Sequence, residues 1–242
     1  MYQIVHDPEQ VKQFFTVFTP QRRDYAIVFQ LFARRKYNEL IPQQTQVLNR
    51  TIISGGTPEV ESLQHVLRLE VREGLYNVKD VPVPGDSLAL YCLIQPKDML
   101  MAMTKTVTDC VSNIQTGFLR SPFKMYREEI GKTSVQGETR LLQIDLDSKD
   151  EVIVKEVQEL LKAAGVRPVM AIETRGGFHI VYKKESHINS KMLWEYSNKH
   201  KVEVTRRTGT TERVNLFTIT HEPSVIIPGT IQGGFKTRIV DF

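Results

Sequence analysis

Residues 141–165 have the sequence LLQIDLDSKDEVIVKEVQELLKAAG, and this stretch decides the fold class. An apolar run ends in two acids, Asp145 and Asp147, which predicts a strand of a sheet. The residues that follow repeat apolar side chains at helical spacing as far as Gly165, a typical stop for a helix. The stretch therefore predicts a strand followed directly by an amphipathic helix.

Further elements follow in a regular order. The pattern predicts strands and a helix at 167–174 (strand), 178–184 (strand), 188–199 (helix), 201–207 (strand), 214–220 (strand) and 235–242 (strand). A β-α-β-β unit of this kind packs its helix on one face of an antiparallel-rich sheet and leaves the other face free for a site. We therefore expect an α+β fold, with an RRM-like β-α-β-β core within residues 117–242.

Residues 1–116 precede this core and contain helical additions. Asp7 before Pro8 predicts a helix start, residues 24–33 predict a buried strand, and the basic run after them predicts a surface connection. Residues 1–116 form either a separate N-terminal part or, with the core, a single domain 1–242.

The second half of this N-terminal part contains one more strand and a long helix. The apolar run at 88–94 predicts a strand, and Pro96 then predicts the start of a helix that continues to about Ile114. The closely spaced residues Met99, Met101 and Met103 fall in this helix, and we expect them to fill the core.

Composition excludes several classes of protein. The chain has 242 residues, 40% of them hydrophobic, which is enough to bury a core. Its two cysteines, Cys92 and Cys110, form no CxxC pair, so neither a disulfide framework nor a structural zinc site is indicated. The longest apolar runs are too short to span a membrane, and the N-terminus does not resemble a secretory signal. We expect a cytoplasmic protein with no membrane partner.

The charge distribution allows two interpretations. The net charge is +4 and the isoelectric point is near 9.0. Basic residues gather in three groups: Lys124, Arg127, Lys132 and Arg140; Lys183, Lys184, Lys199, Lys201, Arg206, Arg207 and Arg213; Lys236 and Arg238. These groups form either solvated faces or a track for a nucleic acid.

Asp145 and Asp147 are candidate metal ligands. Side chains two residues apart on a strand point to the same face, where two carboxylates repel unless a cation or a proton lies between them. Mg²⁺ and Mn²⁺ prefer oxygen ligands and leave positions open for water and phosphate. The alternative is structural, since Asp147 or Ser148 could cap the following helix.

A second motif, TRGGFHIVY, occupies residues 174–182. Gly176 and Gly177 predict a tight hairpin whose backbone N–H groups can approach a phosphate closely, and Arg175 adds a permanent positive charge beside them. His179 could donate a hydrogen bond to a phosphate oxygen, or it could be a structural histidine of the hairpin. A third motif is the turn Pro228-Gly-Thr230, which an ordinary hairpin also explains.

Together, these motifs resemble the archaeo-eukaryotic primase superfamily of primases and primase-polymerases. That family has an hDhD strand, a small-x-His strand and a later hydrophobic-Asp strand that leads into an R-x-P-G-[ST] segment. Ile144-Asp145-Leu146-Asp147 matches the first motif and Gly177-Phe178-His179 the second. The resemblance covers about residues 139–240.

The third motif departs from the family pattern. Asn215 occupies the position expected for the third acid, with Glu203, Glu212 and Glu222 nearby. Ile226 occupies the position of the family arginine. An amide oxygen in place of a carboxylate would bind a second metal ion more weakly.

The resemblance implies a role for each matched residue. Asp145, Asp147 and the residue at or near Asn215 would form the catalytic site and hold two divalent ions, Mg²⁺ or Mn²⁺. The remaining candidates would bind the nucleoside triphosphate: Arg175, Gly176, Gly177, His179, Lys236 and Arg238. A single-stranded DNA template would follow the basic groups, and helicase or other replication proteins would be separate partners.

Three functions are therefore compatible with the sequence. The first is a nucleotidyl transferase that synthesises or extends nucleic acid from nucleoside triphosphates. The second is a non-catalytic nucleic-acid-binding protein of replication initiation with a degenerate primase-like site. The third is a metal-dependent nuclease, because paired acids, a histidine and basic residues also suit phosphodiester hydrolysis.

Overall fold

The structure is a computed structural model. It describes residues 3–69, 75–117, 120–132, 141–185, 187–205, 211–221 and 224–242. Within these residues, helices and antiparallel sheets are both present, and this confirms the α+β class. The helices are α1 (Pro8–Phe18), α2 (Glu59–Leu67), α3 (Met99–Gln115), α4 (Pro122–Glu129), α5 (Glu151–Ala163) and α6 (Ser190–Lys199).

Two larger sheets and three two-stranded ribbons contain the strands. The strands are β1 (Tyr25–Arg34), β2 (Thr45–Ser54), β3 (Asn77–Val78), β4 (Val81–Pro82), β5 (Leu88–Asp98), β6 (Leu141–Leu146), β7 (Pro168–Glu173), β8 (Phe178–Lys183), β9 (Lys201–Thr205), β10 (Thr211–Asn215), β11 (Phe217–Thr220), β12 (Ser224–Ile226), β13 (Ile231–Gln232), β14 (Phe235–Lys236) and β15 (Arg238–Val240). The first sheet has the order β12-β5-β1-β2 and the second sheet β11-β6-β8-β7-β15, all with antiparallel neighbours.

The first sheet is covered on both faces. One face of β1 packs into the main core with the phenylalanines of α1, and the other face packs against α3 and α4 through Ala26, Val28 and Ala102. Because β1 is covered on both sides, it is a nearly continuous apolar run. Asp7 caps α1 by accepting hydrogen bonds from the N–H groups of Glu9 and Gln10, as predicted.

The second sheet separates two groups of side chains by strand alternation. Leu142, Ile144 and Leu146 of β6 point toward α5 and α6 and form a core with them. Leu141 points to the opposite face and joins the main core of the first sheet. The second sheet is therefore covered by helices on one face and turns its other face toward the first sheet.

The C-terminal residues belong to both sheets. β12 pairs with β5 in the first sheet, and β15 pairs with β7 in the second. Between these strands, the carbonyl of Gly229 accepts hydrogen bonds from the backbone N–H groups of His6 and Asp7. Met170 and Val181 of the second sheet share the main core with residues of the N-terminal half. This one core spans the predicted boundary near residue 117.

Two expectations for the N-terminal half are corrected. β5 continues through Pro96 to Asp98, and α3 begins only at Met99, because Asp98 supplies the cap by accepting a hydrogen bond from Met101 N at 2.8 Å. Met101 and Met103 do not fill the core, since 43% and 50% of their surfaces are exposed. In the described part of the chain, no helix is long and apolar enough to cross a membrane.

Candidate active site

Asp145 and Asp147 lie at the end of β6, on the face turned away from α5. Neither Asp147 nor Ser148 caps that helix, because the cap is Asp150, whose carboxylate accepts hydrogen bonds from Val152 N at 2.9 Å and Ile153 N at 3.3 Å. The capping interpretation of the acid pair is therefore wrong. Both carboxylates remain available for chemistry.

The acid pair lies in a cleft of about 520 Å³ between the two sheets. The cleft collects side chains from distant parts of the sequence, which include Arg34, Lys36, Tyr37, Tyr91, Gln143, Asp145, Asp147, Arg175, His179 and Gln232. Its size is typical of a site for a small ligand. Both signs of charge meet across it.

His179 lies directly opposite Asp145 on β8. The backbone N–H of Ile226 donates a hydrogen bond to Nδ1 of His179 at 3.2 Å, so the proton of the neutral ring is on Nε2. Nε2 lies 3.5 Å from Oδ1 of Asp145. Burial, reinforced by the charges of Lys36 and Arg34, lowers the pKa of His179 to about 3. His179 is therefore a neutral donor whose N–H faces the acid pair.

The cleft makes both carboxylates less acidic. Loss of hydration raises the pKa of Asp145, although the charges of Lys36 and Arg34 act in the opposite direction. The pKa of Asp147 is also raised, first by loss of hydration and then by the neighbouring charge of Asp145. The Asp145 side chain is nevertheless 39% exposed, so a ligand can reach it. A bound cation would relieve the repulsion between the acids.

Two cations at the end of β1 face the acids. The guanidinium of Arg34 donates a hydrogen bond to the hydroxyl of Tyr91 at 2.7 Å. Lys36 lies at the mouth of the cleft, where reduced hydration and the charge of Arg34 lower its pKa to about 8. Sequence reasoning missed both residues and assigned them to a surface connection. Arg34 and Lys36 are two residues apart at the end of a buried strand, as Asp145 and Asp147 are. This shared spacing was the signal in the sequence that could have indicated a second pair of charged site residues.

The glycine turn packs against the end of β6. A Cβ atom on Gly177 would lie 1.8 Å from the carbonyl oxygen of Leu146, so no other residue fits there without movement of the backbone. Thr174 closes the turn, because its hydroxyl accepts a hydrogen bond from Gly177 N at 3.1 Å. Gly176 is less constrained, and its nearest neighbour would be Oδ1 of Asp147 at 3.9 Å. The turn therefore lies directly beside the acid pair.

Arg175 and Gln232 connect this turn to the first sheet. The backbone N–H of Arg175 donates a hydrogen bond to the side-chain oxygen of Gln232 at 2.6 Å, and the Gln232 amide donates to the Tyr91 hydroxyl at 2.9 Å. The Arg175 guanidinium donates to the carbonyl of Gly233 at 2.9 Å and lies 5.4 Å from the ring centre of Tyr37. Arg175 is therefore held in place at the wall of the cleft.

Asn215 does not join the acid pair. It lies on β10, and its amide donates a hydrogen bond to the side-chain oxygen of Asn198 at 3.2 Å, beside α6. The strand next to β6 is β11, where Thr218 lies directly opposite Asp145. The sequence expectation treated β10 and β11 as one strand, but the chain breaks at Leu216, whose N–H bonds to the carbonyl of His200.

Lys236 and Arg238 also lie away from the cleft lining. Lys236 is exposed on β14. Arg238 is exposed on β15, where its Nε donates a hydrogen bond to Glu173 at 2.6 Å. Of the predicted nucleotide-binding residues, the cleft includes Arg175, Gly176 and His179.

Some sequence expectations fall outside the described residues. These are the basic residues Arg140, Arg206 and Arg207 and the acid Glu222. Two of the described basic residues of the same groups contact other parts of the protein. Arg127 contacts the backbone of Arg50, and Lys132 contacts Glu129.

The acid pair fits a divalent cation only in part. Two carboxylates on one face supply the hard oxygen ligands that Mg²⁺ and Mn²⁺ prefer. Among the residues that the structure describes, however, no group of three or more His, Cys, Asp and Glu side chains is arranged to hold a metal ion. The donor set therefore suits one ion that takes its remaining ligands from water and a phosphate-bearing substrate.

Comparison with family models, with curated proteins and with solved structures found no match for this chain.

Proposed function

We propose that this protein is a metal-dependent nucleotidyl transferase of the primase-polymerase type, which extends nucleic acid from nucleoside triphosphates. One observation carries the proposal: Asp145 and Asp147 face Arg34, Lys36 and Arg175 across a single cleft. In a metal-bound triphosphate, the divalent cation can bind the two acids. The anionic phosphates can bind Arg34, Lys36 and Arg175.

The arrangement of the second sheet supports this proposal. The elements β6, α5, β7, β8 and α6 are consecutive along the chain, and β11 comes after the separate ribbon of β9 and β10. The strands have the order β11-β6-β8-β7 in the sheet, with β15 added beside β7. This strand order supports the proposed RRM-like core, since RRM-like domains place their functional residues on one face of the central strands. The acid pair and His179 lie on that face of β6 and β8.

The charged residues of the cleft and His179 each have a role in the proposal. Asp145 and Asp147 would hold a divalent ion, which would supply Lewis-acid activation of the attacking hydroxyl and neutralise phosphate charge. Arg34, Lys36 and Arg175 bind and orient the triphosphate. The Nε2–H group of His179 donates to a phosphate oxygen, and its tautomer is fixed by the backbone. The protein thus contributes mainly positioning and electrostatic stabilisation.

The proposed nucleic acid partner is a single-stranded DNA template. Exposed basic residues of the C-terminal half, including Lys183 and Lys201, would contact its phosphates. Strand separation would come from a helicase or other replication proteins. Binding should weaken strongly as the salt concentration rises, because phosphate contacts release counterions.

The experiment is extension of a labelled primer on a DNA template, and synthesis without a primer, with each nucleotide set and with Mg²⁺ or Mn²⁺. Asp145→Asn with Asp147→Asn should lower incorporation by about a thousandfold, because the metal ligands are lost. The variant should fold, since removal of two repelling carboxylates with raised pKa values relieves an unfavourable interaction. Glu159→Gln on the exposed face of α5 is the matched control and should keep full activity.

Unchanged incorporation in the double variant would refute the assignment. The same gel also detects hydrolysis, because a nuclease would shorten the labelled strand when triphosphates are absent. Metal-dependent shortening that is lost in the double variant would assign the cleft to the nuclease reaction.

A second candidate is a non-catalytic protein that binds nucleic acid. Thr218 in the position opposite Asp145 favours it, because the described residues bring no third carboxylate to the pair. Calorimetric titration with Mn²⁺ separates the two. Metal binding that is lost in the double variant supports the transferase. Absence of metal binding, with retained binding of single-stranded DNA, supports the second candidate.

A further inference from the structure

A second pocket of about 540 Å³ lies on the helix-covered side of the second sheet, beside α6. Its apolar floor includes Leu142, Phe217 and Ile219. Leu142 is adjacent in sequence to Gln143, which lines the cleft, so strand alternation points these two side chains to opposite faces. The second pocket is therefore separated from the acid pair by the sheet itself.

The rim of this pocket is aromatic and basic. Trp194 of α6 lines it with 64% of its surface exposed, although tryptophan is usually buried. Lys184, Lys191 and His221 also line the pocket, whereas none of its described lining residues is an acid. Lys191 forms an i,i+4 ion pair with Glu195 on the exposed surface of the helix, with 3.7 Å between Nζ and the carboxylate. The rim therefore favours an anionic ligand with a flat apolar part.

Polar groups at the pocket can recognise the edge of such a ligand. Asn198 and Asn215 line the pocket and are joined by a hydrogen bond of 3.2 Å. Tyr182 also lines it, and its hydroxyl is buried without a hydrogen-bond partner among the described residues. Burial raises the pKa of this hydroxyl to about 12, so it remains protonated. An unsatisfied buried hydroxyl is costly in a protein, and a ligand atom would satisfy it.

We propose that this pocket binds one nucleotide unit, with the base against Trp194 and the phosphate at Lys184 and Lys191. Base stacking on an aromatic ring with phosphate contacts to lysines is the usual chemistry of single-strand binding. The nucleotide unit can come from a free nucleotide or from a single strand. This site is additional to the proposed transferase cleft and does not depend on its activity.

The intrinsic fluorescence of the protein tests the proposal directly, because Trp194 is the only tryptophan of the chain. The full chain is titrated with deoxythymidine monophosphate and with an oligothymidylate of about eight nucleotides. Both titrations are repeated in Asp145→Asn with Asp147→Asn. We expect saturable quenching with the oligonucleotide that the double variant retains.

The two probes distinguish the source of the nucleotide. Equal affinity for both probes identifies a free-nucleotide site, and much tighter binding of the oligonucleotide identifies a site for a strand. Absence of saturable quenching with either probe would overturn the proposal. This result would leave the proposed function of the cleft untouched.

Variants locate the contacts by anisotropy of a labelled oligonucleotide. Trp194→Ala should weaken binding by about tenfold, because stacking is lost. Lys184→Ala and Lys191→Ala should each weaken binding of the oligonucleotide. Each should also lower the slope of log K against log salt by about 1, which is the contribution of one phosphate contact. Lys155→Ala, on the exposed face of α5, is the matched control and should leave binding unchanged. Equal affinity in Trp194→Ala and wild type would overturn the proposal.

Tyr182→Phe separates a ligand contact from a structural role. The hydroxyl has no partner in the described protein, so its removal should leave the melting temperature unchanged or raise it. If the hydroxyl contacts the base, binding weakens several-fold at unchanged stability. A variant that loses stability and binding together would indicate that the hydroxyl has a structural role, against this part of the proposal.

Discussion

The ends of β1 and β6 form two walls of the cleft with opposite charge. β1 ends in Arg34 with Lys36 two residues later, and β6 leads to Asp145 with Asp147 two residues later. On each wall the loss of hydration destabilises the charged form of the side chains. The pKa of Lys36 is therefore lowered, and the pKa values of Asp145 and Asp147 are raised. Each wall alone would be unfavourable, and the charges opposite partly offset the cost.

The two walls differ in how they are held. The cationic wall depends on side chains, since Arg34 contacts the hydroxyl of Tyr91 and Lys36 lies near the ring of Tyr37. The anionic wall is held by backbone packing, because the backbone of the turn at Gly177 lies directly against the carbonyl of Leu146 at the end of β6. Substitution of the cationic wall should therefore change ligand binding, whereas substitution of the glycine turn should change stability.

Gly177→Ala gives the largest expected effect on the anionic wall. Its Cβ atom would collide with the backbone of Leu146, and we expect a loss of roughly 3 kcal/mol in the free energy of unfolding, measured by urea denaturation. Gly176→Ala is the matched control, because its Cβ atom meets only Oδ1 of Asp147 at 3.9 Å. A similar loss in both variants would show that the turn, rather than the contact with β6, sets the cost.

Lys36→Ala tests the cationic wall and should have the next largest effect. We expect kcat/KM for nucleotide incorporation to fall by about a hundredfold, because a positioned cation on the triphosphate is lost. The neighbouring Arg35→Ala is the matched control, since Arg35 is exposed and does not line the cleft. Equal effects at 35 and 36 would mean that the basic run acts by general charge and not by its placement on one face.

His179→Asn should give the smallest effect at neutral pH, and its effect appears in the pH dependence of stability. The pKa of His179 is about 3 in the folded protein and 6.5 as its ordinary value, so the unfolded chain binds the extra proton between these values. The stability contributed by the neutral ring is present above pH 6.5 and is lost as the pH falls toward 3. The free energy of unfolding should fall by at most about 1.4 kcal/mol for each pH unit in this range.

Denaturation in metal-free buffer at several pH values in this range measures that slope. Wild type should lose stability more steeply than His179→Asn as the pH falls. His65→Asn on α2 is the control and should follow wild type. Parallel curves for wild type and His179→Asn would contradict a buried neutral His179.

The sequence predicted the second sheet more completely than the first. The strand and helix of residues 141–165 were apparent because alternation and helical spacing change at one point, and Gly165 ends the helix with a positive φ of 76°. The shared face of Asp145 and Asp147, and the position of His179 on a neighbouring strand, could be predicted because side chains alternate between the two faces of a strand. By contrast, β2 was not predicted, because its side chains are mostly half-buried and show no clear alternation.

Other features depended on contacts that no local pattern contains. The position opposite Asp145 is set by a break at Leu216, which separates β10 from β11. The cap of α3 is Asp98, although Pro96 is the more obvious start of a helix, because pairing with β1 keeps the chain extended to that point. Arg34 and Lys36 reach the acids only because the sheets pack together, and this is a tertiary property.

The return of the C-terminal residues to both sheets has a consequence for protein synthesis. On the ribosome, β1 and β6 leave the exit tunnel well before β12 and Gln232. Until those residues emerge, the imidazole of His179 lacks the N–H of Ile226 that fixes its proton, and Tyr91 lacks the amide of Gln232. The cleft is therefore completed last, and a nascent chain that stalls before Gln232 exposes both charged walls to solvent without the contacts that align them.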